Sequence, residues 1–244
     1  MDLGLKDRVA VVAGASSGLG KAVAQGLAAE GAKVAICSRS EERLQAAARD
    51  IGGEVFFQAV DVTVEAQVRR FVQAVLERFG RIDICVTNAG GPPAKEFAAT
   101  SLEDWRDAVD LNFLSTLYFA REVLPPMKKQ RWGRLITITS VATLQPVDRL
   151  ILSNSVRGAV RGLAKSLANE YGPYNVLVNN VCPGFTGTER LKEFAGNIPT
   201  GQIPLGRIAT PEEFASVVVF LASERASYVT GTSLAIDGGL FKGA

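Results

Sequence analysis

Ala13-Gly14-Ala15-Ser16-Ser17-Gly18-Leu19-Gly20 directly follows a short apolar run and leads into Lys21 to Ala29, a segment of helical periodicity. Glycines in a strand-to-helix turn let the backbone close on a pyrophosphate, whose charge is held by the N–H groups and dipole at the helix start. The spacing of Gly14, Gly18 and Gly20 differs from the commoner G-x-G-x-x-G fingerprint, so the strand–turn–helix setting carries the reading. After the second apolar run, Cys37-Ser38-Arg39-Ser40 sets a cation where an acidic residue would grip a ribose 2′-hydroxyl. Arg39 suits a 2′-phosphate and so favours NADP. The alternative is a solvated first-turn charge, with Glu41 or Glu42 swinging back to bind the ribose of NAD.

A second group of reactive types lies between Ser140 and Leu163. Ser153 and Arg157 are four positions apart in a helical segment and therefore share a face. Hydroxyls and a guanidinium can hold negative charge on an oxygen, but neither supplies a proton readily at neutral pH, the guanidinium pKa being above about 12. Histidine is absent, which removes the commonest general base and transition-metal ligand and excludes a serine–histidine hydrolase or a catalytic metal.

Seven Val- and Ile-rich runs are expected as strands to position these groups: Arg8 to Ala13, Lys33 to Cys37, Val55 to Val60, Ile82 to Thr87, Arg134 to Thr139, Val176 to Val181 and Ser233 to Ile236. Amphipathic segments separate them. Glu30-Gly31 closes the first helix, Ser40 opens the second, and Thr210-Pro211-Glu212-Glu213 opens the last as cap, first-turn proline and acidic turn. The alternation predicts an α/β fold, a Rossmann-type doubly wound parallel sheet of seven βα units with helices on both faces, as one domain spanning residues 1–244. The loosest stretch, Arg190 to Arg207, is expected as either a lid over the substrate or an irregular surface loop.

Apolar residues make up 47% of the 244, which suits strands buried on both sides. The 27 basic and 25 acidic residues are scattered, so neither nucleic acid nor a membrane is an expected partner. The first eight residues lack an apolar leader, and no later run approaches the roughly 20 residues of a membrane span, so a cytoplasmic location is expected. Cys37, Cys85 and Cys182 are an odd number in apolar surroundings and read as buried free thiols.

Further landmarks follow the ends of the strands: Asp61-Val62-Thr63, Asn88-Ala89-Gly90, Pro183-Gly184 and Asp237-Gly238-Gly239, with Asn112 in a long helix and Ser140 after the fifth strand. With these the chain resembles the classical short-chain dehydrogenase/reductase family, and within it the 3-oxoacyl-acyl-carrier-protein reductase-like members, over essentially its whole length. The resemblance implies hydride transfer between a nicotinamide and a small carbonyl or alcohol, in a homodimer or homotetramer built on the helices beginning near Ser101 and Ile151. It implies that Asp61 and Val62 border the adenine and that Asn88, Ala89 and Gly90 approach the nicotinamide ribose. It implies too that Pro183, Gly184, Thr186 and Thr188 close the cofactor site, with Thr188 on the carboxamide.

Family members pair the serine with a tyrosine thirteen positions on and a lysine four beyond that, which maps Ser140 to Ser153 and Arg157. The expected catalytic set is therefore Asn112 anchoring a water, Ser140 holding the carbonyl oxygen, Ser153 relaying a proton weakly, and Arg157 fixing the ribose and stabilising charge. Loss of general-acid help commonly lowers a rate about 10²–10⁴-fold. A weakened oxidoreductase is the first expectation, and a catalytically inactive NADP(H)-binding sensor or subunit the alternative. Tyr118, Tyr171, Tyr174 and Tyr228 are expected to pack elsewhere, and Asp148 to cap the helix of Ser153.

Overall fold

The computed structural model describes residues 2–192 and 200–243. Its strands are β1 (Val9–Ala13), β2 (Lys33–Ser38), β3 (Val55–Ala59), β4 (Ile84–Thr87), β5 (Gly133–Ile138), β6 (Val176–Pro183) and β7 (Ser233–Ile236). They form one parallel sheet in the order β3-β2-β1-β4-β5-β6-β7. The order reverses between β1 and β4, and at such a switch the loops leaving neighbouring strands part into a crevice for a ligand. All seven expected strands are present with small shifts at their ends, while β7 has no helix after it, so the sequence holds six crossovers rather than seven βα units.

Alternate side chains of each strand face opposite sides of the sheet. From β1, Ala10 and Val12 join a core with α1 (Gly18–Ala29), α2 (Glu41–Ile51) and α8 (Pro211–Ala222). Val9, Val11 and Ala13 join the other, with α3 (Glu65–Phe79), α5 (Ser115–Gln130) and α6 (Ile151–Tyr171). The three cysteines are buried and unbridged. No described helix is long and apolar enough to cross a membrane.

The helix starts obey local chemistry. Ser40 Oγ accepts from the Arg43 amide, and Thr210 and Glu213 complete a capping box behind Pro211. A second box, Ser101 with Asp104, opens α4 (Leu102–Ala108), and Lys95 Nζ donates to both carboxylate oxygens of Asp104 at 2.8 Å. Lys95 also bridges to Leu150, so the loop after β4 is pinned to α4 on one side and to the entry of α6 on the other. Asp148 does not cap α6: it is exposed, and the cap position is Leu150 without a side-chain bond. Asn154 does the tying instead, its amide exchanging bonds with Val147 N and O, because one turn into the helix it can reach both backbone groups of the incoming loop.

The α7 helix (Glu189–Lys192) and a 3₁₀ turn (Thr200–Gln202) lie in the stretch expected as lid or loop, of which residues 193–199 lie outside the described residues.

The hydrogen bond from Lys95 holds the Asp104 carboxyl at about 2 against an ordinary 3.8, and that from Arg207 holds Glu213 at about 2 against 4.5. Both folded values lie below the unfolded ones. Their contribution is therefore complete above roughly pH 5 and is lost as pH falls through about 4 toward 2. Asp104→Asn with Glu213→Gln should lower the urea midpoint at neutral pH, and the midpoint should then fall less between about pH 5 and pH 3 than it does in the wild type.

Candidate functional site

The carboxyl ends of the strands meet at one edge of the sheet, and the groups singled out in the sequence gather there. Gly14, at φ +60°, turns the chain out of β1, and its carbonyl accepts from Asn88 Nδ2 at 3.2 Å. A β-carbon on Gly14 would lie 2.8 Å from Asn88 Nδ2 and from the Asn88 carbonyl, and one on Gly20 would strike the Gly14 carbonyl, so both must be glycine for helix and turn to approach. Gly18 faces the methyl of Thr188, 3.5 Å from its built β-carbon, which brings the loop after β6 over the turn. Pro183 ends β6, Gly184 packs against Asp237, and Thr186 bridges to Ala209, fixing that loop.

The start of α1 is open for an anion. Ser17 at the cap position makes no side-chain bond, its hydroxyl is exposed, and the first turn holds no acidic residue. Ser16 and Leu19 flank it, half-buried. Ser38, the last residue of β2, has a buried hydroxyl with no partner, and Arg39 beside it is exposed. Asp61 lies within reach of the charge on Arg39; its carboxyl is held below the ordinary carboxylate range chiefly by the Thr63 hydroxyl at 2.7 Å, and Val62 is half-buried beside it. A dinucleotide fits this set: a glycine cradle that any β-carbon would fill, an uncapped helix start, an orphan hydroxyl for a ribose and a cation beyond it.

Arg157 is 7% exposed, yet no carboxylate bonds to it. Nη1 donates to the carbonyls of Ile138 at 3.2 Å and Thr139 at 2.9 Å, and Nη2 to those of Ala89 and Gly90 at 3.4 Å each. The four terminal N–H bonds of the guanidinium thus solvate one buried cation with the backbone leaving β4 and β5. Burial above all, with the charge of Arg190, pushes its pKa down to about 10, which still leaves it fully charged at neutral pH. Both terminal nitrogens of Arg157 are thus engaged by the backbone it holds together, with its charge at the base of the cleft.

Asn112 shares the Gly90 carbonyl, donating through Nδ2 at 2.8 Å. It lies in a π-helical turn, Val109–Leu114, between α4 and α5, and the extra residue of such a turn re-aims side chains. Its Oδ1 is buried without a partner. Ser140 Oγ accepts from the Ala142 amide at 3.1 Å, which leaves its own proton to donate. Ser153 is 7% exposed and its hydroxyl makes no bond within the described chain. Tyr118, Tyr171 and Tyr174 pack against the core under α3, α5 and α6, and Tyr228 is fully exposed, so none stands in the cleft.

The sequence reading missed the polar layer beneath Ser140. Asn180 Oδ1 accepts from Thr137 and Thr139 at 2.9 and 2.8 Å, and Cys182 Sγ sits 3.4 Å from the hydroxyls of Thr139 and Thr143. Two asparagines interrupting the apolar run of β6 were the available signal. It also missed Arg190, which donates to Pro92 O at 2.8 Å across the cleft mouth.

The family model described as enoyl-(acyl carrier protein) reductase matches residues 14–241. The 3-oxoacyl-(acyl-carrier-protein) reductase of Aquifex aeolicus is 37% identical, covering 99% of this chain and 100% of its own. The L-sorbose reductase of Gluconobacter frateurii, solved with NADPH and L-sorbose, superposes with a TM-score of 0.92 at 33% identity, covering 100% of both chains. A short-chain oxidoreductase of Pseudomonas aeruginosa, described as containing an atypical catalytic center, gives 0.93 at 32% identity, covering 99% of this chain and 100% of that one.

Arg157→Met would take this donor from the carbonyls of Ile138, Thr139 and Ala89, each costing about 1–3 kcal/mol if left unpaired and buried, and would leave Gly90 to Asn112 alone, against the relief of no longer burying a charge. A net loss of about 3 kcal/mol in urea unfolding is expected, with Arg157→Lys recovering part of it because an ammonium keeps three donors.

Proposed function

The chain belongs to the short-chain dehydrogenase/reductase family, and from that membership we propose that it is an NADP(H)-dependent oxidoreductase acting between a carbonyl and an alcohol without a phenolic proton donor. The observation that carries this reading is the buried guanidinium of Arg157, engaged by four carbonyls in a cleft that no tyrosine enters. Ser153 and Arg157 stand where the family pattern has tyrosine and lysine. The fit of the glycine turn, the orphan Ser38 hydroxyl and Arg39 supports a 2′-phosphorylated dinucleotide, as does the relative solved with NADPH.

Gly14, Ser16, Ser17, Gly18, Leu19 and Gly20 would hold the pyrophosphate. Ser38 and Arg39 would take the 2′-phosphate, Asp61 and Val62 the adenine side, and Asn88, Ala89, Gly90, Gly184, Thr186 and Thr188 the nicotinamide half. Bound NADPH would supply the hydride. Ser140 donates its hydroxyl proton to the substrate oxygen as a hydrogen bond, and the fixed charge of Arg157 lowers the energy of the oxyanion that develops. Ser153 passes a proton from water, with Asn112 Oδ1 as acceptor for that water. An aliphatic hydroxyl is a far weaker acid than a phenol of pKa near 10, so protonation limits the rate. The relative described as having an atypical catalytic center supports placing this chain outside the usual tetrad. Association in two or four copies belongs to the same reading, since Leu102 and Val109 on α4 and its π-helical continuation leave apolar surface exposed around a cavity of about 430 Å³.

Fluorescence titration should show NADPH binding, and the wild type should oxidise NADPH slowly over a panel of ketones and aldehydes. Ser153→Tyr with Arg157→Lys should raise the rate by about 10²–10⁴. Turnover in the double variant alone, with the wild type binding NADPH tightly and reducing nothing, would defeat the oxidoreductase reading in favour of a sensor or inactive subunit.

A further inference from the structure

Three polar side chains of α6 grip the segment that carries Ser140. Asn154, Arg157 and Arg161 are spaced by three and four residues and therefore share a helix face. Arg157 Nη1 donates to the carbonyls of Ile138 and Thr139, Arg161 Nη1 donates to that of Thr143 at 3.3 Å, and Asn154 exchanges bonds with Val147. The chain before Ser140 and the loop after it are thus fastened to the helix that carries Ser153. Between these fastenings, Ser140 itself is held by Thr143.

The Ser140 carbonyl accepts twice from Thr143, from the amide at 3.0 Å and from Oγ1 at 2.8 Å. The amide bond closes the 3₁₀ turn Val141–Thr143, which a residue of any type but proline could close, whereas the hydroxyl bond belongs to the side chain. On its other side, Thr143 Oγ1 lies 3.4 Å from Cys182 Sγ. The protons available fix the direction of that contact. Thr143 gives its proton to the Ser140 carbonyl, Thr139 gives its own to Asn180 Oδ1 at 2.8 Å, and Asn180 Nδ2 donates to Cys182 Sγ at 3.2 Å. The thiol proton remains, and it is offered to the oxygens of Thr139 and Thr143. A threonine hydroxyl bonded back to a carbonyl of its own turn is common and by itself fastens nothing further. Here the same residue is held through its carbonyl by α6 and meets β6 through its hydroxyl, so it joins Ser140 to two elements that the turn alone does not reach.

The consequence falls on the Ser140 side chain. Its Oγ accepts from the Ala142 amide at 3.1 Å, which leaves the serine proton free for the cleft, and that bond persists only while residues 140–143 keep their turn. We infer that Thr143 is a positioning residue: its hydroxyl sets the carbonyl of Ser140, and with it the direction of the Ser140 hydroxyl, against α6 and β6. The inference deepens the oxidoreductase reading and rests on it for the effect on turnover, though not for the placement of Ser140.

The test compares Thr143→Val, which keeps the shape and removes the hydroxyl, with Thr143→Ser, which keeps the hydroxyl and removes the methyl. Amide hydrogen exchange of the full chain, read residue by residue by NMR, follows the Ala142 amide on Ser140 Oγ. The control is the Arg225 amide on Ser223 Oγ, a bond of the same type and the same 3.1 Å at the start of the 3₁₀ turn Glu224–Ala226. Thr143→Val should speed exchange at Ala142 by about tenfold with Arg225 unchanged, and Thr143→Ser should restore the wild-type rate. Turnover over the ketone and aldehyde panel should follow, with kcat lower by about tenfold or more in Thr143→Val, KM little changed, and recovery in Thr143→Ser. A packing role reverses the pair, since valine preserves the contacts that serine loses. That reversal, equal loss in both variants, an Ala142 rate that ignores Thr143→Val, equal acceleration at Arg225, or an active wild type whose kcat is indifferent to Thr143→Val would each overturn the assignment. Exchange as expected in a wild type that oxidises no NADPH sinks the oxidoreductase reading alone, and oxidation with unchanged exchange sinks the positioning role alone.

Discussion

The cation at the base of the cleft has no carboxylate to neutralise it, so its burial must be balanced by dipoles. Arg157 meets that requirement with four main-chain carbonyls, two from the end of β4 and two from the end of β5. A guanidinium suits the task because its donors lie in one plane with fixed divergence, and each terminal nitrogen can serve two oxygens. The helix carrying Ser153 is thereby fastened to the strand ends carrying Ser140 and Gly90. Asn112 completes the fastening from the π-helical turn, so groups from four separate elements are fixed relative to one carbonyl.

Opposite ends of the sheet treat polarity differently. At the amino end, the fully buried Asp83 accepts from Arg8, Arg81 and the Val9 amide, and Trp132 lies between the guanidiniums of Arg8 and Arg134 while donating to Glu224. Charges there answer one another, as buried charges in a structural role must. At the carboxyl end, the hydroxyls of Ser38 and Thr87 and the Asn112 Oδ1 are buried and unpaired, three of the four such side-chain atoms among the described residues. Unsatisfied buried groups weaken a fold unless something else satisfies them, and their clustering where strand order reverses marks that edge as the one built to meet a polar ligand.

Much of this was legible in the chain. The seven strands were readable because a parallel sheet covered on both faces needs apolar runs bounded by turn chemistry, and the caps at Ser40 and Thr210 declared themselves through local spacing. The glycine turn was equally plain, since only glycine lets backbone approach backbone at Gly14 and Gly20. Asp148 was misjudged because a residue's distance from a helix start says little about which side chain reaches the incoming loop, and Asn154 reaches it from inside the helix. Phe119 on α5 is buried in the core while Leu102 and Val109 stay exposed; periodicity alone does not say which of two apolar edges faces inward.

Residue types and their order determined the α/β alternation, the glycine-rich turn after the first strand, the absence of imidazole and the hydroxyl and guanidinium four positions apart at Ser153 and Arg157. These are properties of short windows, where covalent spacing already restricts geometry. What the guanidinium of Arg157 binds, which polar atoms are left without partners, and the meeting of Arg190 with Pro92 were decided only by the fold. Each depends on segments tens of residues apart, such as 88–92, 138–140, 157 and 190, brought together by the packing of helices on a common sheet. No local pattern encodes which carbonyl will face a given side chain across such a junction.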